Sequence, residues 1–532
     1  MKAINSNIWK RILFLALGFT ALASCSEDAM DRVNEDNDHT TSAPAKFVLA
    51  DVITSTAFSN VGGDLNTYFS AYTEHTVGVD NQLYNAEIRS GEPSVASTFN
   101  NVWENLYSTL KNARIVVLKA SDEVAANYTT KGIGEVLVAI NSALITDAFS
   151  NTPYSQAALP ELKDGKPQYM NPDVDTQEAI YQAIMKSLDD AIVDLPKGDA
   201  KDKVGSYDFI YKGDGEKWLK LAYGLKARYT MRLLARSKNR EADLQKVLEY
   251  VDKSFKSIDD QAAYAIYDAN NLNPLFGFQW SRDGLAASKS YSDKLIERKD
   301  PRLRRFFCIG QDHLPKGSKR VTIQIKGADD PTFLMAENGT ATSIKYHYNS
   351  LIFFYAQVCP TMLMSYHELL FLKAEALARL NKTAEAEATL KEAVVAAIAN
   401  AEMGLKGAFK APTVAGYGGI EETTEAITEK EAEEYFDKNV KPLFTANPLR
   451  EVMIQKYLAM LGAFGESTEC YNDIRRMKAL KEDFVKLSNP KPFPQRAPYG
   501  DSDVLANPKV KAAYGDGQYV YSDPVWWAGG SR

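Results

Sequence analysis

Cysteine is scarce: the 532 residues contain four, at positions 25, 308, 359 and 470. None forms a Cys-x-x-Cys pair or stands at metal-ligand spacing from a histidine, so neither a disulfide-held scaffold nor a structural zinc site is expected. Cys308 and Cys359 lie in apolar contexts ("RRFFCIG", "YAQVCPT") and read as buried, inert thiols. Histidine is as sparse, with five scattered residues. The chain also lacks HExxH, G-x-S-x-G, P-loop and dinucleotide-binding fingerprints. Among 69 acidic residues no motif singles out the carboxylate pair that glycoside hydrolysis needs, so no enzyme, cofactor or metal is expected. "KGDGE", residues 212 to 216, is too short to signal a calcium loop. Positive charge is in deficit, with a net charge of −7, which disfavours a nucleic-acid partner. Beyond the first thirty residues no run of eighteen apolar residues occurs, so no membrane-spanning helix is expected there.

What is present begins at the amino terminus. Lys2, Lys10 and Arg11 precede "ILFLALGFTALA", residues 12 to 23, which is too short to span a bilayer and suits a secretory signal. Leu22-Ala23-Ser24-Cys25 closes it. Small residues let the backbone lie extended in a peptidase cleft, and the thiol offers a site for lipid. This pattern resembles the bacterial lipobox, which makes Cys25 the lipidated first residue of the mature chain. The acidic "SEDAMD" that follows resembles the surface-export signal of Bacteroidetes-type lipoproteins; a merely solvated charge run is the alternative. Three domains are expected: residues 1–24 a signal peptide, 25–45 a flexible acidic tether, and 46–532 one binding domain.

The main domain reads as mainly α. "TFNNVWENLYSTLKNARIVVLKA" spaces Val102, Leu106, Leu110, Ala113 and Val117 as an amphipathic stripe. "DTQEAIYQAIMKSLDDAIVDLP" is bounded by Asp175 or Thr176 as N-cap and by Pro196. A search for repeats finds degenerate tetratricopeptide-like helix pairs. Trp218, Leu221, Ala222 and Leu225 take first-helix positions, and Leu188, Ala191 and Pro196 take second-helix positions. Leu370, Ala374 and Leu377, then Ala386, Leu390 and Ala393, match across both helices of one pair. Long irregular loops are expected at 75–98, 264–290, 310–350 and 404–420, with short strands from "KRVTIQIKG" and "HYNSLIFFYAQV". The last forty residues are proline-rich and read as an irregular tail wrapping the surface.

In order along the chain stand the lipobox, "ALITDAFSNTPYSQA", "EKWLKLAYGLKARYTMRLL", "ERKDPRLRRFF", "YHELLFLKAEALARL" and "PYGDSDVLANPKVKAAYGDGQYVYSDPVWW". Together they resemble the SusD/RagB-like nutrient-binding lipoproteins, in the SusD-like branch with the "DPRL" and terminal "WW" signatures. The resemblance covers essentially the whole mature chain. It implies a tetratricopeptide-scaffolded lipoprotein of the cell outer membrane, held by its N-terminal lipid alone and facing outward. It also implies a lid that delivers ligand to a SusC-like TonB-dependent transporter and performs no chemistry. Family members bind oligosaccharides or, in some cases, peptides. A helical-repeat scaffold that binds only proteins is the remaining alternative.

Sugar rings stack their C–H faces on aromatics and need amide, carboxylate or guanidinium partners for their hydroxyls. Two stretches supply both. "HTVGVDNQLYNAEIRSGE", residues 75 to 92, resembles the family's ligand loop and offers Asp80, Asn81, Gln82 and Tyr84. "NNLNPLFGFQWSRD", residues 270 to 283, offers Phe276, Trp280, Arg282 and Asp283. The candidate ligand residues are Asn81, Tyr84, Phe276, Trp280 and Arg282, with Trp280 and Tyr84 as stacking groups; core packing or transporter contact is the alternative for each. Tyr346, His347 and Tyr348 form a second candidate loop, while Trp103, Tyr107 and Trp218 read as core and Trp526 and Trp527 as packing groups. Replacing Cys25 with Ala should leave an unlipidated, mislocalised chain. Metabolic labelling with a radioactive fatty acid checks this, and label retained by the variant would refute the processing site.

Overall fold

The computed structural model describes residues 43–92, 99–121, 126–163, 165–313, 320–321, 332–411, 420–515 and 519–531. Cys25, the lipobox and nearly all of the expected tether lie outside them. One compact unit runs from Ala45 to Arg532. At its centre is the 22-residue helix Tyr128–Phe149, whose most apolar eighteen-residue window is entirely buried. A helix apolar on every side belongs inside a core, packed against other helices all round.

Around it the helices stack in sequence order. Ala45–Ser55 packs on Phe99–Ala120, which packs on Tyr128–Phe149, which packs on Gln177–Asp194. Gly215–Arg232, Arg240–Asp252, Tyr366–Arg379 and Thr383–Phe409 continue the series, each against its predecessor. The expected repeat positions hold. Leu188, Ala191, Trp218, Leu221, Ala222 and Leu225 are buried, as are all six matched positions of the Tyr366–Arg379/Thr383–Phe409 pair. Thr176 is the N-cap of its helix, its hydroxyl accepting from the Ala179 amide at 3.2 Å. Gly224 marks a close helix approach: a Cβ there would stand 2.8 Å from both Met364 Sδ and Ser254 Oγ. Trp103, Trp218 and Trp527 are core residues, and Cys308 and Cys359 are buried. The strands pair only as two-stranded pieces among the described residues. They include Arg320–Val321 with Ile420–Glu421 and Ser350–Leu351 with Phe307–Cys308, each drawing one strand from a segment expected to supply one.

Three expectations need correction. The stretches 75–98 and 264–290 are not wholly loop: Asn81–Ile88 and Pro274–Arg282 are helices. The second is started by Pro274 at a first-turn position, where its missing N–H costs nothing, and by the Asn273 side chain accepting from the amides of Leu275 and Phe276. The helix Thr383–Phe409 runs six residues into the expected loop 404–420. The proline-rich tail forms helices Asp501–Ala506 and Pro508–Tyr514, the latter again with proline in its first turn. Nor does the tail merely wrap the surface. Arg496, Tyr499 and Trp527 are fully buried, and a Cβ on Gly500 would lie 2.5 Å from Trp103 Cγ.

The tail is drawn inward by a buried carboxylate. Asp147 ends the central helix and lies 2% exposed. Its side chain accepts from Tyr181 Oη (2.5 Å), Trp527 Nε1 (2.8 Å), Arg232 Nη1 (2.7 Å) and Asn472 Nδ2 (3.4 Å). Arg475 Nη2 donates to the Asp147 carbonyl at 2.7 Å. Arg232 also pairs with Glu469, which lies 3.8 Å from Arg228, and Arg228 grips Glu368 bidentately at 2.7 and 2.6 Å. Burial pushes the Asp147 carboxyl above its ordinary range, opposed by the Arg232 charge. The "DPRL" stretch is built similarly: Asp300 accepts from Arg302 Nε (2.9 Å), Arg302 Nη2 (2.6 Å) and Tyr435 Oη (2.8 Å). Asp147→Ala leaves Arg232 buried beside a missing partner. It should cost about 3–5 kcal/mol, read as a lowered midpoint in urea unfolding, and a midpoint within error of the parent would disprove the role of the carboxylate.

Candidate functional site

The two stretches expected to bind ligand are joined by a short antiparallel ribbon. Thr76–Gly78 pairs with Leu285–Ala287, with Val77 opposite Ala286. The Val79 amide then donates to the Gly284 carbonyl at 2.9 Å. Asn81 and Arg282 follow two residues beyond that bond on either strand, so the start of one helix meets the end of the other. Side chains separated by two hundred residues in sequence thereby share one corner of the surface.

The five candidates differ in what they offer. Asn81 and Arg282 are exposed, and Tyr84 and Trp280 are half-buried. Phe276 is fully buried, so it presents no face to a ligand. Its place as a contact residue is corrected: one helical turn before Trp280, it backs the indole, with ring centroids 5.5 Å apart and planes 17° apart. The Arg282 guanidinium lies 5.7 Å over the Phe278 ring, and its charge also reaches the half-buried Asp64 carboxyl. Burial raises Asp64 and Arg282 partly offsets the rise.

A third segment completes the corner. Lys345 Nζ binds Asp80 Oδ2 at 2.9 Å, and Ser343 Oγ donates to the Val79 carbonyl at 3.2 Å. Tyr346, 42% exposed, lines a water-sized cavity of about 20 Å³ together with Gln279 and Asp283. The second candidate loop therefore belongs to the same corner as the first. Asn81 (φ 47°), Asp283 (φ 48°) and Tyr346 (φ 65°) all adopt left-handed backbone conformations here. Asn and Asp tolerate that region; a tyrosine is held there only by its surroundings. Lys345 escaped the sequence reading, since a lysine in a loop carries no signal until its partner Asp80 is known.

Glu87 also escaped it, and it is the residue that pins the corner. Its carboxylate, 1% exposed, accepts from the Gly78 amide (3.2 Å), the Gly339 amide (2.7 Å), Asn338 Nδ2 (3.1 Å) and Asn489 Nδ2 (3.2 Å). Ribbon, helix, the 332–350 segment and the C-terminal tail thus meet on one side chain. Burial lifts its pKa from 4.5 to about 7, against the lowering effect of Arg89 and these donors.

Residues 32–500 match the SusD-like family model described as starch-binding and associating with the outer membrane. A SusD/RagB family protein of Bacteroides thetaiotaomicron is 54% identical, with 92% of this chain and all of that one covered and a TM-score of 0.85. A chitin-binding SusD homologue of Flavobacterium johnsoniae shares the fold at 16% identity, with 91% and 98% covered and a TM-score of 0.63. Among curated proteins no match was found.

The Glu87 shift carries a sign. A carboxyl that takes up its proton more readily when folded contributes its full stability below pH 4.5 and loses it as the pH rises through about 7. Hydrogen-exchange protection of the Gly78 and Gly339 amides should therefore fall between those values, and Glu87→Gln should flatten the trend. Protection that rises with pH in the parent would contradict this assignment.

Proposed function

Because the chain belongs to the SusD-like family, we propose that it is a cell-surface lipoprotein that captures an oligosaccharide-type nutrient and passes it, as a lid, to a SusC-like TonB-dependent transporter. Cys25 carries the lipid, residues 25–45 are the tether, and residues 46–532 bind ligand without transforming it. The family description and the signal pattern support an outer-membrane location; the acidic run after Cys25 supports the outward orientation.

The observation that carries the reading is the Trp280 indole, half-exposed and backed by Phe276, beside a corner bearing Asn81, Arg282, Asp80 and Lys345. A flat apolar face next to fixed hydrogen-bonding groups suits a pyranose ring, whose C–H face and hydroxyl edge need both at once. Backing by a buried ring fixes the platform before ligand arrives, so little ordering entropy is lost on binding. Tyr84, one turn along its helix from Asn81, offers a second ring.

Trp280→Ala and Tyr84→Ala should each weaken glycan binding by about 1–3 kcal/mol, the scale of burying an aromatic side chain. Titration calorimetry on the chain lacking residues 1 to 25, with the glycan that heads an array screen, measures the effect. Unchanged affinity in both folded variants would assign the two rings to packing alone.

A further inference from the structure

A second cavity lies away from this corner, between the middle of the Phe99–Ala120 helix, the segment 153–172 and the C-terminal tail. Its volume is about 250 Å³, just under the range for drug-sized ligands and suited to a single ring. Pro153, Pro167 and Pro172 wall it with rigid apolar rings. Tyr107 lies to one side, its hydroxyl held by donation to the Pro153 carbonyl at 2.8 Å, so its ring orientation is set. Tyr169 stands at the rim, 40% exposed, next to the exposed hairpin Leu162–Lys163/Lys166–Pro167.

One polar group faces this lining from the tail. Asp503 Oδ2 accepts from Trp103 Nε1 at 2.6 Å, which fixes the carboxylate, and Oδ1 takes no hydrogen bond among the described residues. Burial raises this carboxyl above its ordinary range, offset in part by the Trp103 bond, as expected of a half-buried acid short of donors. The Asp503 role in holding Trp103 does not require the second oxygen.

We propose that this cavity is a second carbohydrate subsite, taking one pyranose unit of a long chain between the Tyr107 and Tyr169 rings with its hydroxyls donating to Asp503. An apolar side chain of a protein partner would fill the walls but leave the Asp503 oxygen unanswered, so a sugar fits better. The inference rests on the carbohydrate-binding reading of the Trp280 corner, and it adds to that reading a preference for polymer. Two weak contacts on one chain raise apparent affinity for the polymer without changing affinity for a short fragment.

The test uses the lipid-free chain on an array of plant, fungal and host polysaccharides, each beside its own trisaccharide. Tyr169→Ala should lower retention on the bound polysaccharide three- to tenfold and leave the trisaccharide affinity unchanged, while Tyr169→Phe keeps both. Trp280→Ala should lower both. If Tyr169→Ala leaves polymer retention intact while Trp280→Ala weakens it, the second subsite is overturned and the first survives. If neither variant alters any glycan signal, both readings fall. If Tyr169→Ala affects only co-purification with a transporter barrel, the cavity holds a protein side chain and the sugar assignment is wrong.

Discussion

A carboxyl group withdrawn from water must find its hydrogen bonds inside the protein, and Asp147 finds them in four distant parts of the chain. Tyr181 comes from the next helix, Arg232 from the one after, Asn472 from a late helix and Trp527 from the last turn. No local segment could supply that set. The helical stack and the return of the tail are the geometry in which all four donors reach one side chain. Further pairs, Arg228 with Glu368 and Arg305 with Glu402, extend the same logic outward. Such pairs add little net stability over well-packed apolar residues; what they do is penalise every arrangement that separates them.

That framework explains how the candidate corner can stand on short elements. Helices of eight and nine residues and a three-residue ribbon would not hold shape alone. They are fastened at buried points instead: Glu87 ties the ribbon to the tail, and Asn273 Nδ2 ties the second helix to the carbonyls of Cys359 and Ala463 at 2.9 Å each. The exposed Asn81 and Arg282 and the half-buried Trp280 indole ride on anchors that water does not reach. Tyr346 in a left-handed conformation shows the same over-determination from the third segment.

Much of the scaffold was legible because helices repeat their apolar residues at a period that a stripe such as Val102, Leu106, Leu110 reveals. The helix pair around Ala374 and Ala386 was legible because close crossings demand small residues. Asn81–Ile88 and Pro274–Arg282 were not, since two turns rich in Asn, Gly and Pro look like loop until a cap and a partner are known. At the corner, aromatic and amide content pointed to the two stretches that the ribbon brings together. It could not rank Phe276 against Trp280, because two rings one turn apart differ only in which lies toward the core. Nor could it join residue 79 to residue 284, a pairing set by the folded ribbon. Glu87 resembled any solvent-facing loop glutamate; its burial depends on Asn338, Gly339 and Asn489, all far along the chain.

The last turn of the chain has a consequence in time. Trp527 donates to a carboxylate 380 positions earlier, so the centre of the molecule stays incomplete until nearly the whole polypeptide has been delivered. The last turn therefore acts as a latch: a chain stopped short of Trp527 leaves the Asp147 carboxyl one donor short at the centre of the core.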